Sequence, residues 1–234
     1  MMHDLNWQFR VRIVLRISFL LSAVVMLTAA DATWKSKSIS QWTLEDARQV
    51  LANSPWAKPT AIAILPRLTE DQLRDGGRMG GGTTHFWKRP DADSNVAAGG
   101  GEHASIEVRW ESALPVRAAE VKAGETGAPA WDGDYYAIAV YDLPGITPAI
   151  QKNLRGALKQ TTCLKRGGKK DLKPERVEIS VSAGNLARIV YLFPRSAGLT
   201  TLDTRVEFVS QIGRIFVAQF FETGEMRLGG QLEL

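Results

Sequence analysis

Cysteine and histidine are scarce: the chain has one cysteine and three histidines among 234 residues. One cysteine cannot form an intramolecular disulfide, so the fold depends on its hydrophobic core alone. The same scarcity argues against a zinc site, which draws its ligands mainly from these two residue types. A serine hydrolase of the Ser–His–Asp type is also disfavoured, because the chain has no G-x-S-x-G elbow. Cys163 lies between Thr162 and Leu164 in a predicted strand, so we expect a buried thiol.

The chain also lacks a large excess of charge of either sign. The chain carries 29 Lys and Arg against 25 Asp and Glu, a net charge of +4. Nucleic-acid binding needs a clustered basic surface, so we expect no nucleic-acid partner. Gly76 and Gly81 have the spacing of a phosphate-binding loop, but Gly82 stands where that loop needs its lysine. We therefore expect no nucleotide or other cofactor.

One hydrophobic run is long enough to matter for targeting. Three arginines precede the apolar segment from Ile17 to Ala30, which ends in the small-x-small sequence Ala30-Asp31-Ala32. This order predicts a secretory signal peptide over residues 1–32, cut before Thr33. The run is shorter than the ~18–20 residues that span a bilayer, so a retained anchor is the lesser alternative. We expect a secreted or periplasmic cell-envelope protein with no stable membrane span after cleavage.

Residues 33–234 are predicted to form a single domain with about three short helices. Thr43 and Asp46 are placed to cap a helix that carries apolar residues as far as Leu51. Ser112 is a candidate cap for a short second helix. Thr147-Pro148 begins the clearest amphipathic helix, whose apolar positions extend to Leu158.

The remaining patterns favour strands. Apolar and polar residues alternate in several segments, and from Thr161 onward these segments follow one another directly. Consecutive strands predict an α+β fold that is mainly antiparallel sheet or β-sandwich. The predicted strands are Ala61–Leu65, Ile106–Trp110, Tyr135–Tyr141, Arg176–Val181, Ala187–Phe193, Arg205–Gln211, Ile215–Phe221 and Met226–Leu234.

A glycine-rich segment at 76–101 interrupts the periodic patterns. Loops of this length are either functional or disordered. Asp91, Asp93, Asn95 and Glu102 fall at positions 1, 3, 5 and 12 of an EF-hand calcium loop. Position 6 is a valine where such a loop needs glycine, which makes calcium a weak candidate. Trp87, in the same segment, is a candidate for stacking on a carbohydrate or for a protein contact.

Two further groups of charged residues are candidates for function. Lys165, Arg166, Lys169 and Lys170 form a basic stretch that could bind an anionic ligand or could be a solvated hairpin tip. Asp132 and Asp134 lie two residues apart before a strand. They could share one face as a carboxylate pair, although a turn is the simpler interpretation.

Scattered segments carry a family resemblance. The chain resembles a group of uncharacterised exported bacterial proteins at Gln41-Trp-Thr-Leu-Glu-Asp46 through Ser54-Pro-Trp-Ala-Lys58, and again at Val108–Val116, Tyr191–Arg195 and Gly230–Leu234. Some of these are similar to the GWxTD-domain group, although Gln41 stands where that motif has glycine. The resemblance implies an envelope protein with a β-rich domain and implies no catalytic residue.

The sequence therefore favours an exported domain that works by binding rather than by catalysis. Its partner would be an envelope protein or a glycan, contacted through the loop 76–101 or the basic stretch at 165–170. The alternative is an exported carboxylate-dependent hydrolase that uses Asp132 and Asp134.

Overall fold

The computed structural model describes residues 32–64, 105–125, 127–143, 148–181 and 187–234. Within these residues there are three α-helices, and every strand pair is antiparallel, as predicted for an α+β fold. The helices are α1 (Leu44–Ala52), α2 (Leu114–Ala123) and α3 (Pro148–Thr161). The strands are β1 (Ala57–Ala61), β2 (Ala63–Ile64), β3 (Ser105–Trp110), β4 (Tyr135–Leu143), β5 (Thr162–Arg166), β6 (Arg176–Val181), β7 (Ala187–Pro194), β8 (Arg205–Ile212), β9 (Ile215–Glu222), β10 (Arg227–Leu228) and β11 (Gln231–Leu232).

Two sheets carry most of the strands. Sheet A has the order β1-β3-β4-β7-β6, and sheet B has the order β2-β9-β8-β5. The sequence predicted one strand over Ala61–Leu65; instead β1 pairs with β3 in sheet A, and β2 pairs with β9 in sheet B. The chain therefore passes from one sheet to the other at Ile62. On the opposite side, α3 packs against β5, β6 and β8 and closes the gap between the sheets.

The main core lies between the inner faces of the two sheets. Trp110 of sheet A meets Phe221 of sheet B edge to face, with ring centroids 5.2 Å apart. Tyr191 and Phe208 make a second contact between the sheets, also at 5.2 Å. The Tyr191 hydroxyl lies 2.9 Å from the Ser210 hydroxyl, so this buried phenol is satisfied. Interdigitating aromatic side chains of this kind hold a β-sandwich together.

The helix boundaries follow from local chemistry. The Thr43 hydroxyl accepts a hydrogen bond from the Asp46 N–H, and Asp46 accepts one from the Thr43 N–H, so the predicted cap of α1 is confirmed. The predicted cap of α2 is wrong in detail. Ser112 accepts a hydrogen bond from the Ala137 N–H instead, and α2 begins after Ala113.

The end of the chain also differs from the expectation of one long strand over Met226–Leu234. Two short strands, β10 and β11, pair with each other around Gly229 and Gly230, which both have positive φ. A left-handed pair of glycines allows the chain to reverse there, and alternation alone did not indicate it. Met226 and Leu234 still point into the main core, so the apolar pattern reflects burial rather than strand pairing.

Candidate functional site

The outer face of sheet A, which points away from sheet B, carries a second and more polar layer. Ala137, Ala139, Val190 and Leu192 form a small apolar cluster on this face. Charged side chains surround it, because the outward positions of β3, β6 and β7 alternate with their core positions. These charged residues are Glu107, Arg109, Glu111, Arg176, Glu178 and Arg188. Charged side chains therefore surround a small apolar patch on this side of the sheet, and two of them, Arg109 and Glu111, are themselves buried.

A cavity of about 590 Å³ opens at the β6 edge of this face. Its walls are β6 from Arg176 to Ser180 and the segment 127–130, with Arg155 of α3 and Arg188 of β7 adding to the rim. We call it the basic cavity, because Glu178 is the one acidic residue among its described lining residues. A concave site of this volume has the size of a small-ligand pocket.

The three arginines of the basic cavity are held differently. The Arg176 Nε lies 3.0 Å from Glu178 Oε1, and its guanidinium carbon lies 5.8 Å from the Tyr135 ring centroid. Arg188 donates a hydrogen bond to the Gly127 carbonyl oxygen. The Arg155 guanidinium, by contrast, has no ion pair and no hydrogen bond within the part of the chain that the structure describes. The cavity therefore keeps an excess of positive charge, which favours an anionic ligand.

Next to the basic cavity lies a buried pair of carboxyl groups, Glu111 and Glu120, which we call the carboxyl pair. Their side chains belong to residues that are 0% and 1% exposed. Glu111 Oε1 accepts a hydrogen bond of 2.6 Å from the Tyr141 hydroxyl, and Glu120 Oε2 accepts one of 3.0 Å from Arg117. The other oxygen of each carboxyl has no donor among the described residues, apart from the partner carboxyl itself.

Burial, together with the charge and the hydrogen bond of Glu111, raises the pKa of Glu120 to about 8, although Arg117 acts in the opposite direction. Burial also raises the pKa of the Tyr141 phenol, so that group remains a hydrogen-bond donor. Two carboxyls in contact cannot both ionise at low cost. We therefore expect Glu120 to keep its proton at neutral pH, where it can be donated to the neighbouring carboxyl oxygen of Glu111.

Arg117 connects the carboxyl pair to the basic cavity. Besides Glu120, it donates a hydrogen bond of 2.8 Å to the Pro129 carbonyl oxygen, in the cavity wall. Its guanidinium carbon also lies 5.1 Å from the centroid of the Trp131 ring. One side chain thus ties α2 and the segment 127–131 to each other.

The basic stretch predicted as a ligand surface lies elsewhere, at a hairpin tip after β5. Lys165 lies 3.5 Å from Glu207, and Lys169 lies 2.7 Å from the buried carboxylate of Asp203. Arg166 donates a hydrogen bond of 2.7 Å to the Lys170 carbonyl oxygen. Burial would raise the pKa of Asp203, but hydrogen bonds from Lys169 and Thr200 outweigh it and lower that pKa. Much of this charge is therefore used within the chain.

The other predicted residues do not converge on a site in the described structure. Asp132 and Asp134 occupy an exposed turn before β4, and Asp134, 83% exposed, lies 3.0 Å from the Arg195 Nε. Cys163 is buried, and burial raises the pKa of its thiol to about 12, which leaves it a poor nucleophile. Trp87 and the calcium candidates Asp91, Asp93, Asn95 and Glu102 lie outside the described residues. Among those that are described, no group of three His, Cys, Asp or Glu could hold a metal ion.

Sequence reasoning missed both the basic cavity and the carboxyl pair. The arginines of the cavity come from three elements, and no spacing along the chain links them. Glu111 and Glu120 left a weak signal: Glu120 falls four residues after Val116, on the buried stripe of α2. A carboxylate on an apolar stripe is a candidate for a buried, protonated group.

Comparison of the chain with protein-family models, with curated proteins and with solved structures gave no match. No α-helix in the described ranges is both long enough and apolar enough to cross a membrane. The geometry of the basic cavity and the carboxyl pair is therefore the basis for assigning a function.

Proposed function

We propose that this chain is an exported cell-envelope protein whose domain binds an acidic, extended peptide segment of another envelope protein in the basic cavity. The observation that carries the proposal is the convergence of Arg155, Arg176 and Arg188 on one cavity whose described lining contains a single acid. Arginine is suited to this role, because its planar guanidinium matches a carboxylate with two parallel hydrogen bonds.

The charge balance of the cavity supports an anionic ligand. Glu178 offsets Arg176, and the Gly127 carbonyl orients Arg188 without neutralising it. Arg155 adds a further cation that has no described partner. A ligand carboxylate placed between Arg155 and Arg188 would therefore meet uncompensated positive charge from two directions.

The shape of the cavity supports an extended peptide rather than a compact anion. Its floor follows five consecutive residues of β6, from Arg176 to Ser180, and β6 is an edge strand of sheet A as described. An edge strand offers backbone N–H and C=O groups to an added strand, and pockets beside it select the side chains. Alternate acidic residues of such a strand would face the arginines.

The proposal is tested by fluorescence anisotropy with a labelled peptide in which glutamate alternates with valine. We expect the peptide to bind, and we expect the same peptide with glutamine in place of glutamate to bind at least tenfold more weakly. Arg155→Glu should weaken binding of the acidic peptide by a similar factor. The ratio of the variant's dissociation constant to that of the wild type should be larger at low salt, because salt then screens the charges less. Arg48→Glu is the matched control, because Arg48 is an exposed helical arginine outside the cavity and should leave the affinity unchanged.

Two results would contradict the proposal. Equal binding of the glutamate and glutamine peptides would show that charge does not select the ligand. Binding of a uronic-acid oligosaccharide, with no binding of either peptide, would assign the cavity to an acidic glycan instead. In both cases Arg155→Glu distinguishes binding in the cavity from binding at another surface.

Hydrolysis, the alternative function, has less support. A hydrolase needs carboxyl groups that a substrate can reach. The carboxyl pair of Glu111 and Glu120 is buried, and Asp132 and Asp134 lie on an exposed turn outside any described cavity. A binding function therefore remains the stronger proposal.

Export is part of the proposal and has its own test. The signal peptide over 1–32 lies almost wholly outside the described residues, and both it and the GWxTD-like resemblance remain predictions. Mass spectrometry of the protein recovered from a bacterial envelope fraction should find Thr33 as the first residue. Full-length protein retained in the cytoplasm would contradict this part of the proposal.

A further inference from the structure

We infer that Glu111 and Glu120 act as a proton-controlled latch: while they share one proton they hold α2 and the segment 127–131 against sheet A, and loss of that proton opens the basic cavity. Two fully buried carboxyls from different elements, one directly after β3 and one on α2, lie within hydrogen-bonding reach of each other, and each has one oxygen that no other described donor reaches.

If both carboxyls of the pair were ionised, the surrounding groups would not offset their negative charge. Tyr141 of β4 already donates to Glu111, and Arg117 of α2 already donates to Glu120. The guanidinium carbon of Arg109 of β3 lies 4.6 Å from the Tyr141 ring centroid, but Glu107 and Glu125 both pair with this arginine and offset its charge. Arg188 of β7 lies over the Tyr141 ring and donates to Gly127. Glu125, directly after α2, adds negative charge near Glu120, and Asp142 adds negative charge near Glu107.

Loss of the shared proton would therefore place two negative charges side by side in a buried site. The low-cost response is separation of Glu120 from Glu111, which moves the last turn of α2 away from sheet A. Because Arg117 belongs to α2 and donates to the Pro129 carbonyl, this movement either breaks that hydrogen bond or draws the segment 127–131 away with the helix, and in either case the wall is no longer held against sheet A. Opening of the wall at 127–130 enlarges the basic cavity.

The direction of the pH effect follows from this geometry. Below neutral pH the pair is protonated and the cavity wall is held, whereas above pH ~8 the wall is released. The latch itself does not need a ligand. Its effect on peptide binding rests on the proposed function, and the two parts are tested separately.

Hydrogen–deuterium exchange on the intact protein tests the latch. After correction for intrinsic rates, we expect amides in 116–131 to exchange at least tenfold faster at about pH 9 than at about pH 6, while β8 and β9 keep their protection. Glu120→Gln should abolish the difference, because the amide is isosteric and cannot ionise. Glu225→Gln is the matched control, since Glu225 is exposed and distant in sequence from the pair, and it should retain the difference.

A second variant keeps the test decisive if Glu120→Gln does not fold. Tyr141→Phe removes the donor that stabilises the ionised form of the pair, so the opening transition should move to higher pH. Equal exchange at both pH values in the wild-type protein, or a transition that Tyr141→Phe leaves in place, would overturn the latch.

Peptide affinity, measured at the same two pH values, tests the connection to the cavity. If the latch controls the site, the dissociation constant should change at least fivefold between the two pH values, and Glu120→Gln should remove that change. A pH-dependent exchange with no peptide binding at either pH would overturn the proposed function and leave the latch standing. Equal affinity at both pH values, despite faster exchange, would overturn the control of binding.

Discussion

The indole N–H of Trp56 donates a hydrogen bond of 2.8 Å to the carbonyl oxygen of Glu233, a residue 177 positions later in the chain. Trp56 is fully buried and packs on Trp34, with ring centroids 5.6 Å apart. Trp34 also accepts, through its carbonyl oxygen, a hydrogen bond from the Trp42 indole. The three tryptophans thus join the first and last described segments of the domain.

Trp56→Phe should destabilise the domain by about 2–4 kcal/mol, because it leaves a cavity in the core and removes the donor of a partly buried carbonyl. The measurement is the free energy of unfolding from urea denaturation followed by circular dichroism. Leu44→Ala, at a residue 42% exposed, should change that free energy by about 0.5 kcal/mol or less. A Trp56→Phe protein as stable as the wild type would show that the link between the two ends contributes nothing.

Stability should fall as pH rises from about 5 to about 8. The pKa of Glu120 is higher in the folded than in the unfolded chain, so its contribution is complete below its unfolded value of 4.5 and is lost towards 8. The slope can reach about 1.4 kcal/mol per pH unit for one such group. Asp46 and Asp203 have lowered pKa values, so their contributions are present above 3.8 and are lost in acid.

These opposing effects place the stability maximum near pH 5. Urea unfolding across a pH series measures the curve, and Glu120→Gln should flatten its alkaline side while leaving the acid side unchanged. A wild-type curve that is flat between pH 5 and 8 would contradict the raised pKa of Glu120.

The ion pair of Lys169 and Asp203 should respond unequally to removal of its two partners. The Asp203 carboxylate is buried and also accepts hydrogen bonds from the Thr200 N–H at 2.9 Å and from its hydroxyl at 3.2 Å. Asp203→Ala removes all of these and should cost about 2 kcal/mol. Lys169→Ala removes one partly exposed cation and should cost about 1 kcal/mol or less. Thermal unfolding of both variants measures the difference, and equal losses would be evidence against this account.

Cys163 should be inert in the folded protein. Its thiol is buried and its pKa is raised to about 12, so almost no thiolate is present at neutral pH. We expect no reaction with a thiol reagent such as DTNB under native conditions and full reaction of one thiol in urea. Rapid native labelling would instead place Cys163 at an accessible surface.

Local chemistry predicted much of the fold. The reciprocal hydrogen bonds of Thr43 and Asp46 act between neighbours in the chain, so the start of α1 was visible in the sequence. Strand alternation in Ile106–Trp110 likewise depends only on which side of one sheet is buried. Transfer of the chain between sheets at Ile62 was not visible, because it depends on which distant strands pair with each side.

The candidate site shows the same division. Lys165, Arg166, Lys169 and Lys170 are dense in sequence, yet the fold engages several of them within the chain. Arg155, Arg176 and Arg188 are dispersed in sequence, and only tertiary packing brings them to one cavity. Charge density along a chain is therefore a poor guide to charge density on a folded surface.

The passage of one chain segment through both sheets also determines when this domain can fold. Thr60, beside the crossing point, donates a hydrogen bond of 2.8 Å to Gln219, 159 residues further along. Contacts so distant in sequence carry a large loop-closure cost and make folding slow. The second sheet gains its edge strand only after nearly the whole chain has left the ribosome. Such late completion is compatible with the proposed export, because a chain that becomes compact slowly can pass unfolded through a narrow translocation channel.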